Sequence, residues 1–270
     1  MTNRETEKSP LHGFLRGQAF RFTLLAAFLA LELRPALSPL PAQTEPSKKK
    51  SLYEIREKVD ANGTGRFYKG REIAPVMSYH GASWLERPER EKEEHTSKLL
   101  PPLKIQAGDT VVDMGAGSGY YTIKLSEIVG AKGKVYAVDI QPEMLAILGK
   151  RLKAQKIGNV ELVQGTETDP KLPANSVDLI LMVDVYHEFT HPYEMTEAMV
   201  KSLKPGGRLV FVEFRLEDEK VPILPLHRMT ERQVLKEMAP FPLRHVQTQG
   251  HLPWQHVIIF EKKAAPKKEG

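Results

Sequence analysis

The chain of 270 residues contains no cysteine. That absence excludes disulfides, thiolate metal sites and a cysteine nucleophile, and it is compatible with any redox compartment. Aromatic residues make up only 7% of the sequence, two of them tryptophan. No basic stripe interleaves with them, so no nucleic-acid partner is expected. Long apolar runs are also missing. The run FTLLAAFLAL (Phe22–Leu31) is only about ten residues, too short to cross a bilayer as a helix.

Hydrophobic residues make up 41% of the chain, in short and regularly spaced runs. That pattern suits a packed core rather than disorder. The formal net charge is +5. Much of the excess sits in Lys48-Lys49-Lys50 and in Lys262, Lys263, Lys267 and Lys268, which read as solvated tails. Lys8, Arg16 and Arg21 precede the apolar run, and small residues follow it around Ala42 and Gln43. Residues 1–45 therefore read as a signal peptide or membrane tether, which would make the protein exported or membrane-tethered and otherwise cytoplasmic. Residues 46–100 read as a helical lid, 101–262 as the main domain and 263–270 as a basic tail.

From Ile105 onward, strand and helix patterns alternate, as in a parallel sheet covered by helices. The expected strands are 109–113, 134–139, 160–164, 176–184 and 208–214. Helices are expected to Val129, from Pro142 to about Lys156, and from Pro192 to Leu203. Thr230 and Gln233 form a capping-box pattern for a helix to about Met238. Two last strands, 243–249 and 254–262, read as a hairpin.

The stretch VVDMGAGSGYYTIKL (Val111–Leu125) places three glycines at alternate positions after a strand that ends in an acid. Ligands bind at this edge of an open α/β sheet. The dinucleotide fingerprint is G-x-G-x-x-G, whereas the third glycine here, Gly119, comes one residue early. Asp113 near the mouth would repel a pyrophosphate and would suit a ligand that carries an ammonium group.

At these residues the chain resembles the class I S-adenosylmethionine-dependent methyltransferases. VVDMGAGSG is similar to their first motif, VYAVDI to their second strand, and LKPGGRLVFVE to their turn and fifth strand. The resemblance covers roughly Leu100 to Lys262. It implies a Rossmann-like doubly wound sheet, mostly parallel, with an antiparallel C-terminal strand pair, and S-adenosylmethionine as cofactor. It places the methionine portion on Asp113 and the loop Gly115, Ala116, Gly117 and Gly119. It places the ribose on Asp139, with Ile140 against the adenine. Gly165-Thr166-Glu167 stands where the family often has Gly-Asp-Ala, so Thr166 or Glu167 is expected at the adenine. Asp184 is expected near the methionine amino group or the sulfonium.

The acceptor is expected to be a small molecule, and an oxygen or carbon acceptor needs a base. His187, in DVYHEFTHPYE after the fourth strand, is the first candidate. Glu188 and Tyr186 are weaker candidates for the base. Tyr79 and Trp84 are expected to shield the sulfonium from the lid, and His227, Trp254 and His256 to close the acceptor pocket together with Tyr186. The histidines show no metal-ligand spacing, so no metal is expected. Two other readings stand beside the main one. VDVYHEF and LKPGGRLVFVEF loosely resemble the ubiquinone/menaquinone C-methyltransferases, which suggests a lipophilic quinone-like acceptor at a membrane. The other is a protein that binds S-adenosylmethionine without turnover. An arsenite methyltransferase of the cysteine-dependent kind is excluded.

Overall fold

The computed structural model describes residues 51–264. The leader reading of 1–45 and most of the basic tail lie outside these residues. Among the described residues no helix is long and apolar enough to cross a membrane.

The main domain is built on a seven-stranded sheet. In chain order its strands are β4 (Thr110–Met114), β5 (Lys134–Asp139), β6 (Val160–Gln164), β7 (Val177–Val183), β8 (Leu203–Phe214), β9 (Leu243–Gln249) and β10 (Gln255–Lys262). They lie in the order β6-β5-β4-β7-β8-β10-β9. The first five are parallel, and β10 runs antiparallel to both β8 and β9. The apolar runs explain the parallel part. Strands covered on both faces need continuous rather than alternating hydrophobicity, and Leu179 to Met182 are all fully buried. The covering helices are α3 (Tyr120–Val129), α4 (Pro142–Gln155), α5 (Pro192–Ser202) and α6 (Glu231–Met238). Pro142 and Pro192 open their helices at the first turn, where a missing N–H costs nothing. Thr230 caps α6 by accepting the Gln233 N–H at 3.0 Å.

Two boundaries differ from the sequence expectation. β8 starts at Leu203, so the KPGG turn lies within the strand as an irregularity against β7. The lid is helical only in its second half, at α1 (Ala82–Leu85) and α2 (Arg90–Glu94). Its first half is a small antiparallel sheet of β1 (Tyr53–Ile55), β2 (Arg66–Tyr68) and β3 (Arg71–Glu72). Strands of two or three residues carry no readable period. What holds them is tertiary. Arg71 forks onto the buried Glu237 of α6 at 2.8 and 3.0 Å, and its third donor reaches the His187 carbonyl at 2.9 Å.

Candidate functional site

β4 is flanked by β5 and β7, so the crossovers diverge on either side of it. A crevice opens at the carboxyl ends of these strands for that reason. It holds a cavity of about 370 Å³, reached by residues of β4, β5, β7, the lid and the segments after β7 and β8.

The glycine loop forms one part of the wall. Gly115, Gly117 and Gly119 all take positive φ, at 71°, 54° and 89°, a region that L side chains rarely adopt. A side chain on Gly115 would run into Val185, and one on Gly117 would come 2.8 Å from Leu85 of the lid. Gly119 differs, because its own Cβ would strike Leu148 of α4. It is the N-cap of α3 and serves packing between helices. Neither Gly119 nor Ala116 is among the residues that line the cavity.

Asp139, at the end of β5, straps the loop. Its Oδ2 accepts the Gly117 N–H at 2.9 Å, and its Oδ1 accepts the Gln141 N–H at 2.9 Å. Each oxygen keeps a further lone pair, and the side chain lines the cavity. Burial raises its pKa, opposed by these N–H groups. Gln141 ties the lid to this edge, accepting from the Tyr79 N–H and donating to the Met77 carbonyl, both at 2.9 Å. Ile140, Thr166 and Glu167 also line the cavity.

Asp113 is buried and faces the start of α3, where it accepts the Thr122 hydroxyl at 2.6 Å. It supports the loop from behind and is not among the residues that line the cavity. Burial pushes its carboxyl up to about 6, with the Thr122 bond opposing and the nearby Asp139 adding. Asp184 does line the cavity. Its backbone sits at φ 52°. Its Oδ2 takes a long 3.3 Å bond from Gln255, and its buried Oδ1 has no partner among the described residues. Burial raises its pKa well above the ordinary carboxylate range, with Glu94 and Glu213 adding and Arg90 opposing. A buried carboxyl oxygen without a partner costs free energy until a donor or cation reaches it.

His187 lines the cavity at 2% exposure. Its Nδ1 lies 2.7 Å from Oε2 of Glu213, a fully buried carboxylate on β8 whose Oε1 accepts the Tyr186 N–H at 2.9 Å. The imidazole is thereby held with Nδ1–H toward Glu213 and Nε2 outward. Burial lowers its proton affinity, but the Glu213 carboxylate more than offsets this, and the net pKa lies above the ordinary imidazole value. His227, forty residues away in sequence, brings its Nδ1 to 3.2 Å from His187 Nε2. Glu188 lies beside both.

Trp84 lines the cavity with 43% exposure, and the Arg87 guanidinium covers its ring at 3.8 Å. Apart from His227, the other residues expected at the acceptor pocket do not line this cavity. Tyr186 is fully buried and donates to Glu237 at 2.8 Å, which makes it a core anchor. Tyr79 stacks on His80 outside the cavity lining. His256 is buried at the β10–β8 pairing opposite Glu213, and Trp254 rests near Phe214, so neither reaches the cavity. Sequence reasoning missed Arg90, Gln141 and Glu213. Glu213 had a signal, since a lone acid inside LVFVEF has to find a partner once the strand is buried.

Sheet order, antiparallel last strand pair and a glycine loop beside the crevice define an open α/β protein with a ligand site at its switch point. The chain belongs to the methyltransferase domain family, whose model matches residues 105–260. It is similar to the ubiquinone/menaquinone biosynthesis C-methyltransferase UbiE of Pseudomonas putida, 34% identical over 118 residues, which are 43% of this chain and 46% of that protein. The equally named protein of Salmonella arizonae is 37% identical over 111 residues, 41% and 44% of the two chains. The match spans less than half the length of these curated relatives. Among solved structures, an S-adenosylmethionine-dependent methyltransferase from Aquifex aeolicus superposes with a TM-score of 0.66 at 27% identity, over 69% of this chain and all of that one. A putative type 11 methyltransferase from Sulfolobus solfataricus shares the fold, with a TM-score of 0.53 at 23% identity over 66% and 95%.

Proposed function

We propose that the chain transfers a methyl group from S-adenosylmethionine to a small molecule seated beside His187. The observation that carries this reading is Asp184, a buried carboxyl in the wall of a cavity edged by glycines, whose Oδ1 has no partner among the described residues. An ammonium or sulfonium group is the partner it lacks. Gly115, Gly117 and Asp184 would hold the methionine end, Asp139 the ribose, and Ile140, Thr166 and Glu167 the adenine. Asp113 adds negative potential from behind the loop.

The cofactor supplies an electrophilic methyl on a sulfonium. The chain's own residues then orient the acceptor and exclude water, a proximity effect on the order of 7–11 kcal/mol. Leu85, Trp84 and Met77 of the lid cover the cavity. His187 faces the acceptor, and its outward Nε2 lone pair is placed to receive a proton from an oxygen or carbon acid. Glu213 holds the ring in the required tautomer.

The second reading, a lipophilic quinone-like acceptor, is favoured by the names of the relatives and by Val76, Phe189, Phe214 and Ile223 in the cavity wall. A membrane tether at 1–45 would suit it, and cell fractionation with N-terminal sequencing tests that tether. The reading as a binder without turnover has no observation in its favour. For the function itself, protein and methyl-labelled S-adenosylmethionine are incubated with fractionated cell extract. Label in an organic-phase product supports the lipophilic acceptor, and label in an aqueous product supports a polar one. No transferred label in any fraction, together with no binding of S-adenosylhomocysteine, overturns the proposal.

A further inference from the structure

One stretch of the cavity wall gathers three side chains of metal-ligating type. His187 Nε2 and His227 Nδ1 are 3.2 Å apart. Glu188 Oε1 is 3.9 Å from the first and 4.0 Å from the second. Two imidazole nitrogens facing at this distance need a proton or a cation between them, because their lone pairs otherwise repel. A carboxylate oxygen directed at the same place adds attraction for a cation.

Two of the three ligands are already fixed from outside. Glu213 holds His187 by Nδ1, which leaves Nε2 as the free nitrogen. Glu188 Oε2 accepts the Met77 N–H at 3.2 Å, which leaves Oε1 for the cluster. A carboxylate on the far nitrogen is the usual outer partner of a metal-bound histidine.

We propose that His187, Glu188 and His227 hold a divalent first-row transition ion, of the zinc or iron(II) kind, in the wall of the cavity. The spacing fits. A point equidistant from the three ligand atoms lies about 2.2 Å from each, against roughly 2.0–2.2 Å for nitrogen and oxygen ligands of zinc. Two imidazoles and one carboxylate form a three-sided set with positions left open. Magnesium, which prefers an octahedron of oxygens, fits poorly.

The inference rests on the reading of this cavity as the transfer site, and it deepens that reading. The ion and a transferred proton are alternative occupants of one Nε2 lone pair. With the ion in place, an open position takes an oxygen of the acceptor. The ion then favours loss of that oxygen's proton to water, as metals do for bound water itself. The expected acceptor is accordingly an oxygen donor such as a hydroxyl.

The test uses the untagged full chain, stripped with a chelator and dialysed. Zinc binding is measured by calorimetry and cobalt(II) binding by visible absorption. One ion per chain is expected, with cobalt bands of a four- or five-coordinate site. Glu188→Gln and His227→Ala should each weaken zinc binding at least about tenfold, and Glu213→Gln about 10–100-fold. His251→Ala, on the exposed surface, should leave it unchanged. Absence of stoichiometric binding overturns the proposal, as does binding that survives both Glu188→Gln and His227→Ala undiminished. S-adenosylhomocysteine titrated into the same samples separates the two readings. Failure of the wild type to bind it removes the cofactor assignment and leaves the metal result standing. Retained affinity in a variant shows that the cavity is folded. Should Glu188→Gln not fold, the half-buried His227→Ala carries the test.

Discussion

Asp113→Asn should make the protein more stable and a poorer binder. Asp113 is buried at 4% exposure, and burial pushes its pKa up to about 6. An unfolded aspartate titrates near 3.8. Between these values the native state holds a proton that the unfolded state has lost, so stability falls as pH rises through the window and levels off above it. The full difference is about two pK units, or about 3 kcal/mol at 1.36 kcal/mol per unit. Asparagine removes the charge, and its carbonyl oxygen keeps the Thr122 hydroxyl bond. Its new N–H donors lack a clear partner, which reduces the gain to about 1–2 kcal/mol. For a domain of this size that is a rise of several degrees in Tm at pH 7. Thermal melts of wild type and variant from pH 4 to 7.5 measure it directly. The wild-type curve should fall more steeply with pH than the variant's, because the groups they share, Asp139 and Asp184 included, titrate in both. The variant's affinity for S-adenosylhomocysteine should drop, because the charge that a cationic ligand compensates is gone. A variant that is less stable at pH 7, or that keeps the full wild-type slope, refutes the reasoning.

Gly117→Val should abolish S-adenosylhomocysteine binding in calorimetry, since the position combines φ 54° with Leu85 at 2.8 Å from a Cβ. Asp139→Ala should weaken the same binding by about 1.5–3 kcal/mol, the range for hydrogen bonds to a charged group. His187→Ala should leave that affinity nearly unchanged and lower turnover of an identified acceptor by about 10²–10⁴-fold. Arg71→Ala should cost about 3–5 kcal/mol in denaturant unfolding, because Glu237 is left buried and uncompensated.

The parallel half of the sheet was legible because its signals are local. KVYAVD is an apolar run and VELVQ a short edge strand, both bounded by turn residues, and β5 and β6 take the expected limits. Thr230 and Gln233 announced their helix by the chemistry of the cap. The small sheet of the lid had no such signal, since Arg71 is held by Glu237 from 166 residues away. The site divides in the same way. Gly117, Asp139 and Asp184 follow strand ends, where the topology itself points to a ligand. His227 follows no strand end, and only the fold brings it to His187. Gly119 sits against Leu148, and in sequence a glycine that serves a neighbouring leucine looks like one that serves a ligand.

The hold of Arg71 on Glu237 and on the His187 carbonyl has a consequence during synthesis. At about 5–20 residues per second, the ribosome needs roughly 8–30 s after making Arg71 to reach Glu237. Until His187 is made, 116 residues after Arg71, Arg71 has neither contact, and until Glu237 is made it lacks its ion pair. The segment that shapes the His187 wall is thus among the first of the described residues to be made and among the last to settle. A cell that cuts short translation before α6 releases a chain with the glycine loop and strapping acid present, but without the element that locks the lid.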